Sequence, residues 1–314
     1  MTDPHGPTRT SPGTAQRQTT VPLAVVILAQ NEEENIPHAL ASVIPWAAEV
    51  WVIDANSTDR TADLARAAGA RVVTHEWAGG GAQRTWALRT LPFQQDWLLF
   101  LDADERVTPH LRDELASVLS VPPQEISGFY VKRRFIFLGR WLRHGGYYPT
   151  WLLRVVRHNL ARCEDRWVDE HLVVDGPTGR LRHDILHEDR KPLSRWVKRH
   201  EGYADQVVAD LEGAREGGPA PRWLSRHQVE RKRWWYERVY LGAPLRLRAF
   251  AYFLYRYILR GGFLDGPEGL IYHSLQGLWY RRLIDAKMLQ AHRSADALRG
   301  GHAAPVRTPD PADR

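Results

Sequence analysis

An α/β fold with a mostly parallel sheet flanked by helices is predicted for the first half of this chain, and three observations carry that prediction. Short apolar runs recur at residues 24–28, 49–53, 70–74 and 97–101, with segments of helical length between them. The fourth run, Leu98-Leu99-Phe100-Leu101, is apolar without interruption, the pattern of a strand buried on both faces. Turn and capping residues separate the runs: Asn56-Ser57-Thr58-Asp59, Gly69 and Gly79-Gly80-Gly81. Strands that alternate with helices in this way need right-handed crossovers, and hence a parallel sheet.

The first strand leads through Gln30-Asn31-Glu32-Glu33-Glu34 into a helix expected to end near Ile44. The second ends at Asp54, and Ser57 or Thr58 can cap a helix that runs to Ala68 and is closed by Gly69. After the third strand, the glycine run opens a helix expected over residues 82–91. The fourth strand ends in Asp102-Ala103-Asp104-Glu105, with Glu105 expected to cap a helix over 109–119. Beyond it lie a long strand at 128–137, a loop at 145–149, a strand at 151–156, and an acidic segment at 166–174 holding Asp169, Glu170 and His171. His183 and His187 follow, and a helix starts near Leu193. A body over 21–211, a Gly- and Pro-rich boundary at 212–221 and a helical region over 222–292 are expected. Residues 1–20 and 293–314 read as disordered flanks.

A chain of 314 residues with 25% charged residues can bury an enzyme-sized core. Its single cysteine, Cys163, excludes an intramolecular disulfide framework, suits a reducing compartment, and has no Cys or His companion at metal spacing. The first 20 residues lack the apolar core of a secretory signal, and no stretch approaches the roughly 18 apolar residues of a membrane span. A cytoplasmic protein is expected. The net charge of +6 is uneven: residues 222–260 hold ten Lys/Arg against Glu230 and Glu237, with ten aromatics among them. Such a mixture suits an anionic membrane surface. Packing on the body with solvated arginine stems is the plainer alternative. Nucleic-acid binding has no accompanying motif.

Asp102 and Asp104 share a face, because side chains alternate along an extended segment. Two hard oxygen donors suit Mg²⁺ or Mn²⁺, which neutralises a diphosphate, whereas the bland alternative is an acidic turn. The glycine run lacks any phosphate-binding fingerprint, but a helix N-terminus beside Arg84 favours an anion.

Taken together, residues 25–33, residues 51–59, Gln83-Arg84 and Asp102-Ala103-Asp104 resemble family 2 glycosyltransferases with a GT-A fold. Within that family the chain is most similar to bacterial enzymes that add glucose or a related sugar to lipopolysaccharide core. Val168-Asp169-Glu170 and 262–266 match those enzymes as well, while Asp169 (where His is usual) and Trp86 (where Asn is usual) depart from them. The resemblance implies an inverting transfer from a nucleotide-linked hexose, UDP-glucose in the first instance. The acceptor would be a lipid-linked or cell-envelope glycan at the inner face of the cytoplasmic membrane. It implies donor contacts from Gln30, Asn31, Glu32, Asp54, Gln83, Arg84 and Asp102, and a metal held by Asp104 with Asp102 and His187. Glu170 would be the general base, with Asp169 its competitor. Two other readings stay open: a nucleotidyltransferase acting on a sugar phosphate, and a non-catalytic membrane- or RNA-binding protein on the same scaffold.

Overall fold

The computed structural model describes residues 20–163, 171–214, 234 and 239–300, the side chains of 212–214, 246 and 295–300 excepted. The four expected strands form as β1 (Val21–Ala29), β2 (Ala47–Asp54), β3 (Arg71–Thr74) and β4 (Trp97–Asp102). They lie parallel in the order β3-β2-β1-β4. Leu23, Val25, Ile27, Leu99 and Leu101 are buried on one face, and Ala24, Val26, Leu98 and Phe100 on the other. Burial on both faces is why these runs carry no alternating polar residue.

The crossover helices are α1 (Ile36–Ala41), α2 (Thr61–Ala67) and α3 (Gly80–Thr90), with α4 (Pro109–Ser120) following β4. Gly69 closes α2 at φ +92°, a conformation that a glycine adopts without strain. Two expected caps are displaced. Ser57 and Thr58 lie upstream of α2, and Asp59 Oδ1 accepts the Thr61 N–H at 2.9 Å instead. Glu105 does not cap α4 either; Thr108 Oγ1 accepts the Leu111 N–H at 3.3 Å, with Pro109 at the first helical position. Glu105 belongs to β5 (Glu105–Val107) and is fully buried.

The second half extends the sheet with β6 (Gly128–Phe137), β7 (Arg140–Trp141), β8 (Thr150–Arg157) and, after a separate hairpin of β9 (Ala161–Cys163) and β10 (Leu172–Val174), β11 (Thr178–Glu188). The order is β3-β2-β1-β4-β8-β6-β11-β5, with β7 on β6. This half is mixed: β11 is parallel to β6, whereas β8 is antiparallel to β4 and β6, β7 to β6, and β5 to β11. Hairpin turns replace helical crossovers in this half, as at Leu138 and Gly139, which turn at φ +48° and +81°.

α5 (Leu193–Ala214), α6 (Leu245–Leu254), α7 (Gly266–Tyr272) and α8 (Tyr280–Gly300) complete the described elements, with π-helical turns at Tyr255–Leu259 and His273–Trp279. These helices share a core with the sheet. Phe137 and Leu142 pack against Trp196 and Tyr272, while Ala204 and Val208 pack against Tyr280 and Ile284. Buried Asp265 ties the two regions by accepting the N–H groups of Arg143 (3.1 Å) and His144 (2.9 Å). The flank expected from residue 293 begins inside a helix, since α8 runs to Gly300.

Candidate active site

The carboxyl ends of the parallel strands place two aspartates on either side of β1. Asp54 pairs with Ala29 in the β1–β2 register, and Asp102 pairs with Leu28 in the β1–β4 register. Asp54 is 4% exposed; its Oδ2 accepts the Ser57 N–H at 3.2 Å, and its Oδ1 is buried with no hydrogen-bond partner. A carboxylate oxygen left in this state is an acceptor in wait for a donor. The loops after β1 and β2 are laced together. Asn31 N–H donates to Ser57 Oγ (2.9 Å), Thr58 N–H to Asn31 Oδ1 (2.8 Å), Glu32 N–H to Thr61 Oγ1 (2.7 Å) and Gln30 Nε2 to the Ala55 carbonyl (3.0 Å). Gln30 and Asn31 therefore build the wall beside Asp54, with Asn31 itself in the left-handed region at φ +53°.

Asp102 is held by two arginines. Arg84 Nη2 donates to its Oδ1 at 3.0 Å, and Arg154 Nη2 donates to its Oδ2 at 2.6 Å and to Glu105 Oε1 at 2.9 Å. Burial works to raise the Asp102 carboxyl, but Arg154 and then Arg84 outweigh it and hold the group well below the usual carboxylate range. Glu105 behaves alike: burial raises it, and Arg154 brings it down. Both carboxylates are thus fixed as anions, and Arg154 as a cation.

Asp104 differs. Burial pushes its carboxyl up; His187 opposes this, and Asp102 and Glu105 add to it. His187 Nδ1 lies 3.6 Å from Asp104 Oδ1 and 3.8 Å from Glu105 Oε1, and is itself buried without a hydrogen-bond partner. The neighbouring carboxylates are all matched by cations: Glu32 with Lys191, Asp189 with Arg199 (2.8 Å), and Asp102 and Glu105 with Arg154. Asn35 Nδ2 joins Glu32 (2.8 Å) to Asp189 (2.9 Å), so this shell is continuous. Among these side chains Asp104 is the one carboxylate with no hydrogen-bonded cation. Hence a largely buried carboxylate with no hydrogen-bonded cation faces a buried imidazole nitrogen that has no hydrogen-bond partner, and that pair fits Mg²⁺ or Mn²⁺. Among the described residues no group of three or more such donors is preassembled, so water or a ligand would have to complete the shell.

Of the remaining expected site residues, Gln83 turns its amide into the scaffold. Its Nε2 donates to the carbonyls of His75 and Glu76 (both 3.0 Å), and its Oε1 lies 2.7 Å from His75 Nδ1. That locks the start of α3, and with it Arg84, to the end of β3. Glu32 lies among the site residues, but bound to Lys191. Asp169 and Glu170 lie outside the described residues. Sequence reasoning missed Arg154, Lys191, Arg199 and the true place of Glu105. One signal was present: an arginine inside the apolar run Leu152-Leu153-Arg154-Val155-Val156 is a charge that folding has to bury and pair.

Two loops, a set of paired carboxylates and two arginines thus meet at the carboxyl edge of the parallel strands, the place where α/β sheets bind their ligands. The chain belongs to glycosyl transferase family 2, whose model matches residues 24–188, and it is a glycosyltransferase. It is 29% identical over 288 residues to the lipopolysaccharide core biosynthesis glycosyltransferase LpsC of Rhizobium meliloti (strain 1021), covering 87% of this chain and 93% of that one. It is 35% identical over 103 residues to a glycosyltransferase of Rickettsia bellii, about a third of each chain. Among solved structures it is similar to the Pyrobaculum calidifontis mannosyltransferase PcManGT in complex with GDP-Man and Mn²⁺, at 14% identity and a TM-score of 0.47 over 86% of this chain and 87% of that one.

Proposed function

We propose that this chain is an inverting, divalent-cation-dependent glycosyltransferase that moves a hexose, glucose in the first instance, from a UDP-linked donor to a hydroxyl of a lipid-linked or cell-envelope glycan. The carrying observation is Asp104, buried at the carboxyl end of the parallel sheet and facing His187 with no cation of the protein's own. Asp104 and His187, with Asp102 alongside, would hold Mg²⁺ or Mn²⁺, which supplies positive charge to the departing diphosphate. The protein does the rest. Asp54 Oδ1 accepts a hydrogen bond from the nucleotide base or ribose, and the N-terminus of α3 with Arg84 faces the phosphates. Because Arg154 already holds Asp102, that carboxylate keeps a fixed orientation as donor enters. Glu170, or Asp169, takes the proton from the acceptor hydroxyl as its oxygen attacks the anomeric carbon and the sugar–phosphate bond breaks.

The similarity to LpsC over nearly its whole length supports a lipopolysaccharide-type acceptor, and hence work at the cytoplasmic membrane face. No described helix is long and apolar enough to cross a membrane. A surface feature supports peripheral contact: Leu247, Phe250, Leu254 and Ile258 are exposed at helical spacing from α6 into its π-turn, and Phe263, Leu264, Leu270 and Ile271 are exposed as well. Residues 241–264 contain no Asp or Glu. The decisive assay is product analysis with UDP-glucose and Mn²⁺, where free nucleoside diphosphate is expected and pyrophosphate would mean nucleotidyl transfer. Asp104→Asn should abolish turnover while melting no lower than wild type, because it removes an anion that burial disfavours. Undiminished turnover in that variant would refute the role given to Asp104.

A further inference from the structure

A second group of side chains at the same end of the sheet is left over by the transfer chemistry. β8 runs antiparallel to β4, so its first residues lie at the end of the sheet where β4 ends in Asp102. Trp151 is three residues from Arg154 on β8, about 10 Å along an extended strand. Lys132 pairs across the sheet with Trp151 on one side and with Asp184 on the other, so the three share a face. Around them cations and rings alternate. The Arg180 guanidinium lies 5.0 Å from the Trp151 ring centre, and the Lys132 ammonium lies 5.7 Å from it. Arg134 and Arg143 lie 4.3 and 4.6 Å from the Trp141 ring centre.

The charges do not balance. Asp184 accepts from Arg134 Nη2 at 2.8 Å and from the Tyr148 hydroxyl at 3.2 Å, and lies 3.4 Å from Lys132 Nζ. Among the described residues neither Arg143 nor Arg180 meets a carboxylate, which leaves three positive charges over one buried acid. Trp141 Nε1 is buried there without an acceptor. Ring faces suit the apolar faces of sugars, and unmatched guanidinium groups suit phosphate or carboxylate.

We propose that Lys132, Arg134, Arg143 and Arg180, spaced by Trp141 and Trp151, form an acceptor subsite that selects an anionic saccharide. The inference rests on the glycosyl-transfer reading, because only then does a sugar bind at this end of the sheet. The rings set the spacing of the cations, Asp184 anchors the middle pair, and Arg143 and Arg180 stand free at the two ends for the acceptor's acidic group. A phosphate ester and a carboxylate present the same chemistry to these groups.

Saturation-transfer NMR with glucose, glucose 6-phosphate and glucuronic acid separates the cases, with UDP plus Mn²⁺ titrated in parallel. Roughly tenfold tighter binding of an anionic sugar than of glucose is expected, and loss of that margin in the double variant Arg143→Gln/Arg180→Gln. Preference for the phosphate means a phosphorylated acceptor, and preference for the carboxylate an acidic one. Arg180→Lys should retain more of the margin than Arg180→Gln, and neither should change the melting temperature or UDP binding. Equal binding of the three sugars, an unaltered margin in the double variant, or stronger displacement by a single-stranded oligonucleotide than by either anionic sugar would overturn the subsite. If UDP does not bind while the anionic sugars do, the transfer reading fails and the anion site stands. If UDP binds and the sugars are not distinguished, the subsite fails and the transfer reading stands.

Discussion

Arg154→Met tests the reasoning about the site most directly, because it removes a single cation from between two buried carboxylates. The Arg154 side chain is 7% exposed, that of Glu105 0%, and that of Asp102 33%. Breaking a buried pair by removing one partner costs about 3–5 kcal/mol, since the remaining charge is left unpaired. Arg84 still supports Asp102 through its 3.0 Å contact, so the loss falls mainly on Glu105. With roughly 2–4 °C of melting temperature per kcal/mol for a chain near this size, a drop on the order of 6–20 °C is expected. The internal control is Arg66→Met. Its partner Asp63 lies 3.1 Å away, but the two side chains are 55% and 83% exposed, and such a pair contributes well under about 1 kcal/mol.

The same variant carries a pH signature. Asp102 and Glu105 are held below their ordinary values in the folded protein, so their stabilising contribution is present above about pH 4–4.5 and is lost as pH falls through the depressed folded values. In Arg154→Met that contribution is largely gone at neutral pH. The gap between wild type and variant should therefore be widest near pH 7 and close as acid protonates the carboxylates in every form. Thermal melts from pH 3 to 8 measure it. A variant that melts within a few degrees of wild type at pH 7, or a gap that widens in acid, would refute this account of Arg154.

Three further outcomes follow from the packing. Gly145 lies at φ +64°, and a Cβ there would meet His273 Cε1 at 2.1 Å, so Gly145→Ala should lower the melting temperature by more than Gly139→Ala, where φ is +81° but the space is open. The second substitution carries only a backbone cost of about 1–2 kcal/mol. Burial pushes His200 and His273 down to about 4, so the unfolded chain takes up their protons first. Stability should fall as pH drops from about 6.5 to about 4, by at most roughly 3 kcal/mol for each, and His200→Phe should flatten the decline. Leu247→Ser with Phe250→Ser should abolish cosedimentation with anionic phospholipid vesicles without lowering the melting temperature; equal cosedimentation of this variant would remove these side chains from the membrane reading.

How much of this was legible beforehand depended on whether a residue's role is local. The four parallel strands were readable because burial on both faces writes an uninterrupted apolar run into the sequence. Gly69 was readable because a left-handed helix end has one cheap solution. The long strand at 128–137 falls where expected, yet its partners did not show, because antiparallel pairing through hairpins leaves no helical spacer to count. Ser57 and Thr58 have the composition of caps, but the β1 loop lies beside them and uses their hydrogen bonds. A cap is assigned from four residues in a row; what takes it away stands 26 positions earlier at Asn31.

Glu105 shows the same limit at the site itself. In sequence it follows two aspartates and precedes a helix, and a capping role is the cheapest local explanation. In space its Oε2 accepts the Asp102 N–H at 3.1 Å, its Oε1 binds Arg154 from 49 residues away, and its backbone pairs with His187 from 82 positions downstream. Each contact restricts a different neighbour: the turn after β4, the arginine that holds Asp102, and the imidazole that faces Asp104. A carboxylate cannot be carried into a fully buried position unless those partners arrive with it. The isolated Arg154 among leucines and valines and the acidic cluster that follows β4 are therefore one signal read at two places. A charge that folding has to bury, such as Arg154, is best matched to an acid of opposite sign before that acid is given a local role.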